Sequence, residues 1–113
     1  MPILKRFFQR RIPLCQEEMA RPYCERARQA LLGEDLLKAI AILDCGIRVA
    51  PEYLELYLQR AQIFQYGLEQ YSRALEDYRH ILRRLESKPN NRLAQRCKQA
   101  MRDMMTLEVS QSS

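Results

Sequence analysis

The chain has 113 residues, of which 47% are apolar, and it carries 19 basic against 14 acidic side chains for a formal net charge of +5. This length is too short for two independent cores, and the apolar fraction excludes a low-complexity disordered chain. Only three glycines and five prolines interrupt a composition rich in good helix formers. We therefore predict one all-α domain.

The positive charge is concentrated at the start of the sequence. Residues 1–16 hold four bases and no acid, which leaves 15 bases against 14 acids in the rest of the chain. Because a nucleic-acid-binding domain spreads basic side chains over its contact surface, this distribution argues against nucleic acid as a partner of the main body. We treat residues 1–16 as a separate basic segment.

The basic segment has an amphipathic pattern. Its apolar side chains between residues 3 and 12 fall near one side of a predicted helix, with Phe7 and Phe8 in the middle, and Pro13 ends it. Contact with an anionic membrane surface through residues 1–12, contact with a partner, and organelle targeting all fit this pattern, as does packing against the helical core. The candidate residues of the segment are Lys5, Arg6, Phe7, Phe8, Arg10 and Arg11.

Soft metal ligands are few, and their spacing argues against a metal site. The cysteines are separated by 9, 21 and 52 positions, so the chain has no CxxC pair. We expect reduced thiols that mostly fill small core positions, and neither a metal nor another cofactor. The residues concerned are Cys15, Cys24, Cys45, Cys97 and the single histidine, His80.

Sequence motifs of catalysis are also missing. The chain has no Gly-rich phosphate loop, no HExxH motif and no nucleophile elbow, and His80 has no sequence neighbour that would make it a general base. Glu76 and Asp77 are adjacent, so on a helix they point about 100° apart. We predict a protein that is not an enzyme. No apolar run approaches the roughly 20 residues that span a bilayer, so we expect a cytoplasmic location, with a membrane-peripheral one as the alternative.

Apolar residues recur every three or four positions along the main body, which predicts five amphipathic helices. Pro22 is predicted in the first turn of the first helix, and Gly33 is predicted to end that helix in the left-handed conformation. Gly67 is predicted to end the third helix. The predicted helices cover about 22–32, 35–50, 52–66, 69–86 and 91–108, and residues 109–113 form a frayed tail.

Glycine, alanine and proline recur in the order that stacked helical hairpins need. Ala39 and Ala74 lie 35 residues apart, close to a repeat period of about 34. On these residues the sequence resembles the tetratricopeptide-repeat (TPR) family. The residues that fit a first repeat are Tyr23, Ala27, Gly33, Ala39, Leu43, Gly46 and Pro51. Those that fit a second repeat are Tyr57, Ala61, Phe64, Gly67, Tyr71, Ala74, Tyr78 and Pro89.

The resemblance implies a right-handed stack of antiparallel helical hairpins within residues 17–108, an α-solenoid of about five helices. Its repeats are about 20–53 and 54–90, and its capping helix is 91–108. The first helix of each repeat then faces a concave groove that binds a segment of another protein, as in an adaptor, scaffold or assembly factor of a larger complex. The groove residues that the resemblance implies are Cys24, Arg28, Leu31, Gln59, Gln62, Gln65, Tyr66, Arg92 and Arg96.

Two alternatives stay open at this point. Some TPR proteins hold the terminal carboxylate of a chaperone with lysine and asparagine, but Arg28 and Gln59 stand in those places, so we do not expect that ligand. The groove residues also fit an ordinary solvated helix face. In the other alternative, the helices only carry the basic segment, and that segment binds a membrane or nucleic acid.

Overall fold

A computed structural model of the protein describes residues 15–112, and for residues 15–107 it also describes the side chains. This part of the chain contains five α-helices and no strand, so the predicted all-α class is confirmed. Residues 1–14, and with them the predictions for the basic segment, lie outside the described residues. The helices are α1 (Gln16–Leu32), α2 (Leu36–Val49), α3 (Leu54–Gln62), α4 (Tyr71–Arg84) and α5 (Arg92–Ser112), and a π-helical turn (Ile63–Gly67) continues α3.

Helix α1 begins six residues before the predicted start at Pro22. The acidic residues Glu17 and Glu18 occupy its first turn, where the positive end of the helix dipole favours them. Pro22 therefore lies inside the helix rather than in its first turn, and it is exposed. Proline has no N–H to donate to the main-chain carbonyl four positions earlier. Because Pro22 is exposed, that carbonyl stays open to water, and the interior position is tolerated. Ala20, which is fully buried, packs the additional six residues against the core.

The helix end at Gly33 differs from the prediction. Gly33 has a φ of −86°, so it is not left-handed, and the left-handed residues are Glu34 (φ 58°) and Glu69 (φ 53°). The chain therefore turns one residue after Gly33 and two residues after Gly67. Next to the first turn, Asp35 starts α2, because its carboxylate accepts a hydrogen bond of 3.1 Å from the main-chain N–H of Lys38.

Close contacts between elements explain why two positions are occupied by glycine. A Cβ atom on Gly46 would lie 2.8 Å from the Cβ of Tyr23, so this glycine allows α2 to approach α1. A Cβ atom on Gly67 would lie 2.9 Å from a Cδ atom of Leu36, so that glycine lets the π-helical turn approach the start of α2. Space rather than backbone conformation therefore excludes a side chain at Gly46, whereas at Gly67 the contact is with the end of the flexible Leu36 side chain, which can shift.

Neighbouring helices along the chain pack on one another. Helices α1 and α2 form one hairpin and α3 and α4 form another, while α2 also packs on α3 and α5 packs on α4. The contact between Tyr23 and Gly46, which are nearly equidistant from the α1–α2 loop, makes the first hairpin antiparallel. The buried alanines at the helix contacts agree with the predicted close packing. They are Ala27, Ala39, Ala61 and Ala74, each with 0% exposure.

Two clusters of buried side chains form the core. The first lies mainly between α1 and α2 and includes Leu43, Leu56 and Ile63. The second lies between α3, α4 and α5 and includes Tyr78 and Ile81. Of the cysteines, Cys97 alone is buried, while Cys24 and Cys45 are half-buried and Cys15 is exposed; all four are free. The expectation that the cysteines mostly fill the core is therefore wrong.

The last helix extends further than predicted. Helix α5 continues through Ser112, whereas the prediction ended the helix at 108 and treated 109–113 as a frayed tail. Since 109–112 contains neither proline nor glycine, no residue in it stops the main-chain hydrogen bonding of the helix. None of the described helices combines the length and the apolar character needed to cross a membrane.

Candidate functional site

A cavity of about 610 Å³ lies between α1 and α3. Helix α1 contributes Arg28 and Leu31 to its wall, three positions apart on one helix face. Helix α3 and the π-helical turn contribute side chains that recur every three or four positions and so share a face as well. They are Glu55, Gln59, Gln62 and Tyr66, and Leu36, Ile63 and Gly67 complete the wall.

Helices α1 and α3 run parallel along this cavity. At their beginnings, the main-chain N–H of Glu52 donates a hydrogen bond of 2.9 Å to the side-chain oxygen of Gln16. At their ends, Leu31 and Tyr66 line the same cavity. Helices that meet at both their beginnings and their ends run in the same direction. We therefore call the part of the cavity nearer Gln16 and Glu52 its beginning, and the part at Leu31 and Tyr66 its end.

The beginning of the cavity is acidic. Glu55 lies in the first turn of α3, half-buried in the cavity wall. Burial raises the pKa of the nearby Cys24 thiol, and the negative charge of Glu55 raises it further. Burial also raises the pKa of Tyr53, and the carboxylates of Glu17 and Glu55 add to that effect. Glu17 and Glu55 thus both lie near Tyr53, as does Arg21, and we call this region the acidic end.

The other end of the cavity is apolar. Leu31, Leu36 and Ile63 line it together with Tyr66, of which 66% is exposed. A large aromatic side chain exposed beside aliphatic ones is a common feature of binding surfaces. We call this region the apolar end.

A second cavity, of about 210 Å³, continues the first one toward α5. The two cavities share Gln62 and Tyr66, which stand between them. Helix α5 contributes Arg96 together with Gln99 and Asp103, again at spacings of three and four. The two cavities together form one groove across α1, α3 and α5, and we refer to it below as the groove.

The structure brings together most of the residues that the sequence analysis assigned to a binding surface. Five of them line the first cavity, and Arg96 lines the second. Cys24 lies beside the amide of Gln59, half-buried under the groove rather than open to it. Arg92 is exposed at the first residue of α5 and lines neither cavity. The five in the first cavity are Arg28, Leu31, Gln59, Gln62 and Tyr66.

The assignment of Gln65 to the groove is wrong. Only 2% of Gln65 is exposed, and its side-chain oxygen accepts a 2.6 Å hydrogen bond from the hydroxyl of Tyr78. Its nitrogen donates to the main-chain oxygen of Ala100 at 3.3 Å. Helical spacing from Gln62 reaches both Gln65 and Tyr66, and the wider π-helical turn directs the first toward α5 and the second into the groove.

Several groove residues were missed by the sequence analysis. Glu55 lies one turn before Gln59 on the same helix face, and Gln99 and Asp103 continue the spacing of Arg96. Extending each predicted helix face by one turn in both directions finds Glu55 and Gln99, and Asp103 lies one further turn along the same face of α5. Leu36 belongs to α2, and its place in the groove depends on the close contact at Gly67, which no sequence pattern indicates.

Other polar clusters lie away from the groove. The side chain of Arg60 donates two hydrogen bonds to Asp77, at 2.9 and 2.7 Å, and one of 2.9 Å to Asp44, which links α2, α3 and α4. The ring of His80 lies 4.3 Å from the ring of Tyr57, centre to centre. Within residues 15–107, no group of three or more His, Cys, Asp or Glu side chains is placed to hold a metal ion.

The described residues thus define an all-α protein with a groove that is acidic at one end and apolar at the other. No protein-family model, no curated protein and no solved structure matches the chain.

Proposed function

We propose that the protein is a non-catalytic interaction module of the TPR type, acting as an adaptor or as an assembly factor or subunit of a larger complex. In this proposal the α1–α2 and α3–α4 hairpins are the two repeats and α5 is the capping helix. The groove binds a segment of another protein. The observation that carries the proposal is the convergence of five predicted binding residues on the first cavity.

This convergence favours a binding surface over an ordinary solvated helix face. Polar residues on a solvated face point into water and surround no common space. Here Gln59 and Gln62 flank a cavity whose apolar end exposes Tyr66, and exposed tyrosine is enriched among residues that contribute most to binding. A peptide seated in the cavity would remove that ring from water.

The lining also indicates the chemistry of the ligand. Amide side chains such as those of Gln59 and Gln62 donate and accept hydrogen bonds, so they suit the main chain of an extended peptide. The apolar end suits a bulky apolar side chain. Arg96, in the second cavity, suits a carboxylate.

Site-specific photo-cross-linking tests whether a partner lies in the groove. We would replace Gln62 with p-benzoylphenylalanine in the full chain, irradiate cell extract containing it, and map the attached partner peptide by mass spectrometry. The matched control carries the same probe at Arg79, which is exposed on α4. We expect one partner segment to be attached from position 62 and not from position 79.

Substitution then tests the same groove with the purified partner. Replacing Arg28 with Glu reverses a charge, and replacing Tyr66 with Ala removes an aromatic anchor. We expect the affinity of the doubly substituted protein for the partner to fall about tenfold or more. The control variant combines Arg79→Glu with Leu37→Ala, both exposed on other helices, and should bind like the wild type. Equal binding by the groove variant and the wild type contradicts the proposal.

A charge-reversed basic segment tests the alternative function. If Arg10→Glu with Arg11→Glu abolishes binding while the groove variant binds normally, the segment does the binding and the helices only carry it. A steep fall of that binding with salt, together with captured lipid or nucleic acid, identifies such a factor.

A further inference from the structure

The α1–α2 hairpin has a second face, which is turned away from α3. On α1, Arg28 lies in the groove beside α3, whereas Arg26 lies two positions earlier, about 200° around the helix. On α2, Asp44 pairs with Arg60 of α3, and Ile42 is two positions away from Asp44 in the same way. Arg26 and Ile42 line common cavities between α1 and α2. We call this side of the hairpin the outer face.

Two cavities of about 460 and 220 Å³ run along the outer face. They share Arg26, Lys38 and Ile42, so they form one continuous cleft, which we call the outer cleft. Its floor is apolar, because Tyr23 and Ile42 lie there half-buried and pack against the first core cluster together with Ala30. A partner seated in the outer cleft would remove the remaining apolar surface of these side chains from water.

The rim of the outer cleft is basic. Arg26 on α1 and Lys38 on α2 are exposed. Arg48 extends the rim along α2, since its guanidinium donates a hydrogen bond of 3.1 Å to the sulfur of Cys45, which lines the smaller cavity. None of these three cations pairs with an acid among residues 15–107, and the one acid in the lining, Asp35, already caps α2. Carboxylates beside an apolar surface would therefore complement the outer cleft.

The charge of the rim disfavours an occupant from the chain itself. Residues 1–16 hold four bases and no acid, so the rim repels them. A second copy added end to end, as helical repeats stack, would present α5 to the outer face. Among residues 92–107 of α5, the side chains outside the core and the groove include Lys98 and Arg102 and no acid. Like charges would then face one another, so an acidic segment of another protein fits better than either.

The arrangement of the basic side chains favours a helical ligand. Lys38 and Arg48 are ten positions apart on α2, which is a rise of about 15 Å, or about three turns of a helix lying alongside. On the other face of the hairpin, α3 already packs against α2. We propose that the outer cleft binds an acidic amphipathic helix of another protein, with the apolar stripe of that helix over Ile42. Carboxylates that flank the stripe pair with Arg26, Lys38 and Arg48.

A synthetic peptide tests this proposal with the full chain. The probe has about 18 residues, enough to form a helix, with leucine along one side and glutamate flanking it. One control peptide carries lysine in place of glutamate, and the other has the composition of the probe with leucine spread around the helix. Measured by fluorescence anisotropy, the probe should bind at least about tenfold more tightly than either control. Equal affinities, or no binding of the probe, overturn the proposal.

Charge reversal locates the contact. Arg26→Glu with Lys38→Glu should lower the affinity for the acidic probe about tenfold or more and raise the affinity for the lysine control. The matched variant, Arg79→Glu with Arg83→Glu, changes the net charge by the same amount at exposed positions of α4 and should bind the probe like the wild type. Circular dichroism checks that both variants keep their helical content. Equal losses in the two variants would show that net charge alone attracts the probe, against the proposal.

Cross-linking identifies the occupant of the outer cleft. The residue p-benzoylphenylalanine replaces Gln29, which is exposed in the larger cavity, and in the control it replaces Arg79. We expect the acidic probe to be attached from position 29 and not from position 79. In the absence of the probe, a mixture of isotope-labelled and unlabelled protein distinguishes links within one molecule from links between copies. Efficient attachment of position 29 to residues 3–12 or to a second copy contradicts the proposed occupant.

This outcome is separable from the proposed function, because the outer cleft and the groove lie on different sides of α1. Arg28→Glu with Tyr66→Ala should leave the affinity for the acidic probe within about twofold of the wild type. A larger loss would place the probe in the groove and would overturn this proposal alone. Conversely, Arg26→Glu with Lys38→Glu should leave a partner bound in the groove undisturbed.

Discussion

Asp77 is the one charged residue buried among residues 15–107, with 4% of it exposed. Burial raises the pKa of its carboxyl group above the ordinary value, and the guanidinium of Arg60 opposes that change. The charged form of Asp77 therefore depends on Arg60. The sequence did not reveal this pair, because its members lie 17 positions apart on different helices and each alone resembles a surface residue.

Removing Arg60 should therefore destabilise the protein. We expect Arg60→Ala to lower the free energy of unfolding by about 3 kcal/mol, because it leaves Asp77 buried without a partner. Urea denaturation followed by circular dichroism measures this change.

Arg84 provides the matched control. It pairs with Glu52, but the two side chains are 51% and 53% exposed, so solvent screens the interaction. We expect Arg84→Ala to change the free energy of unfolding by less than about 1 kcal/mol. A similar loss in both variants would show that burial of the pair is not what makes Arg60 important.

Between helices, glycines determine how closely the elements pack. We expect Gly46→Ala to destabilise the protein by about 2 kcal/mol, because the new Cβ atom would meet Tyr23 and force α1 and α2 apart. This loss outweighs the helix propensity that alanine gains over glycine, which is about 1 kcal/mol. Thermal or urea unfolding of the variant measures the effect.

Gly33→Ala is the control for this prediction. The nearest atoms to a Cβ at position 33 are main-chain oxygens at 3.6 and 3.7 Å, and the φ of −86° is accessible to alanine. We expect it to be neutral or to stabilise the protein by up to about 1 kcal/mol. A loss of stability equal to that of Gly46→Ala would contradict the steric explanation.

At the level of elements, the sequence predicted which helices form and which faces they bury, because the 3.6-residue period depends only on side-chain polarity. It failed where local geometry departs from a regular helix. Pro22 indicated a helix start, yet the exposed proline lies six residues after the observed start of α1. The π-helical turn changed the direction of Gln65, and a wider turn leaves no mark in an apolar pattern.

In the whole molecule, the two core clusters share side chains. Ile40, Ile47 and Leu68 pack against both, so disrupting one cluster removes contacts from the other. We therefore expect one cooperative unfolding transition for residues 15–107 rather than separate unfolding of the two hairpins.

Thiol labelling tests this expectation. Cys97 is fully buried, and burial raises its pKa to about 11, so at pH 8 the native protein exposes neither its sulfur nor its reactive thiolate. We expect Cys15 to be labelled quickly and Cys97 only after global unfolding. Gly46→Ala changes the other cluster, yet it should speed the labelling of Cys97 about thirtyfold, the factor that corresponds to 2 kcal/mol. An unchanged rate would show that the hairpins open independently.

The sequence also located much of the groove, because groove residues repeat along a helix face like core residues do. Arg28 and Tyr66 were found in this way. The sequence missed the acidic end of the groove. Glu55 belongs to that end only because the beginning of α3 packs beside the beginning of α1, and spacing along one helix does not show this contact. Spacing along one helix is readable from sequence, whereas the pairing of two helix faces depends on how the hairpins pack.

Tyr66 forms a wall of both cavities in the groove. A tyrosine ring moves by rotation about two side-chain bonds, so space gained on one side of it is lost on the other. If the groove binds peptides as proposed, ligands in its two halves would be thermodynamically linked through this one side chain, and a short peptide that turns the ring toward α5 would lower the affinity of the second half. A longer segment that leaves the ring between the two halves would bind both at once, so a long ligand would avoid the competition that two short ligands meet.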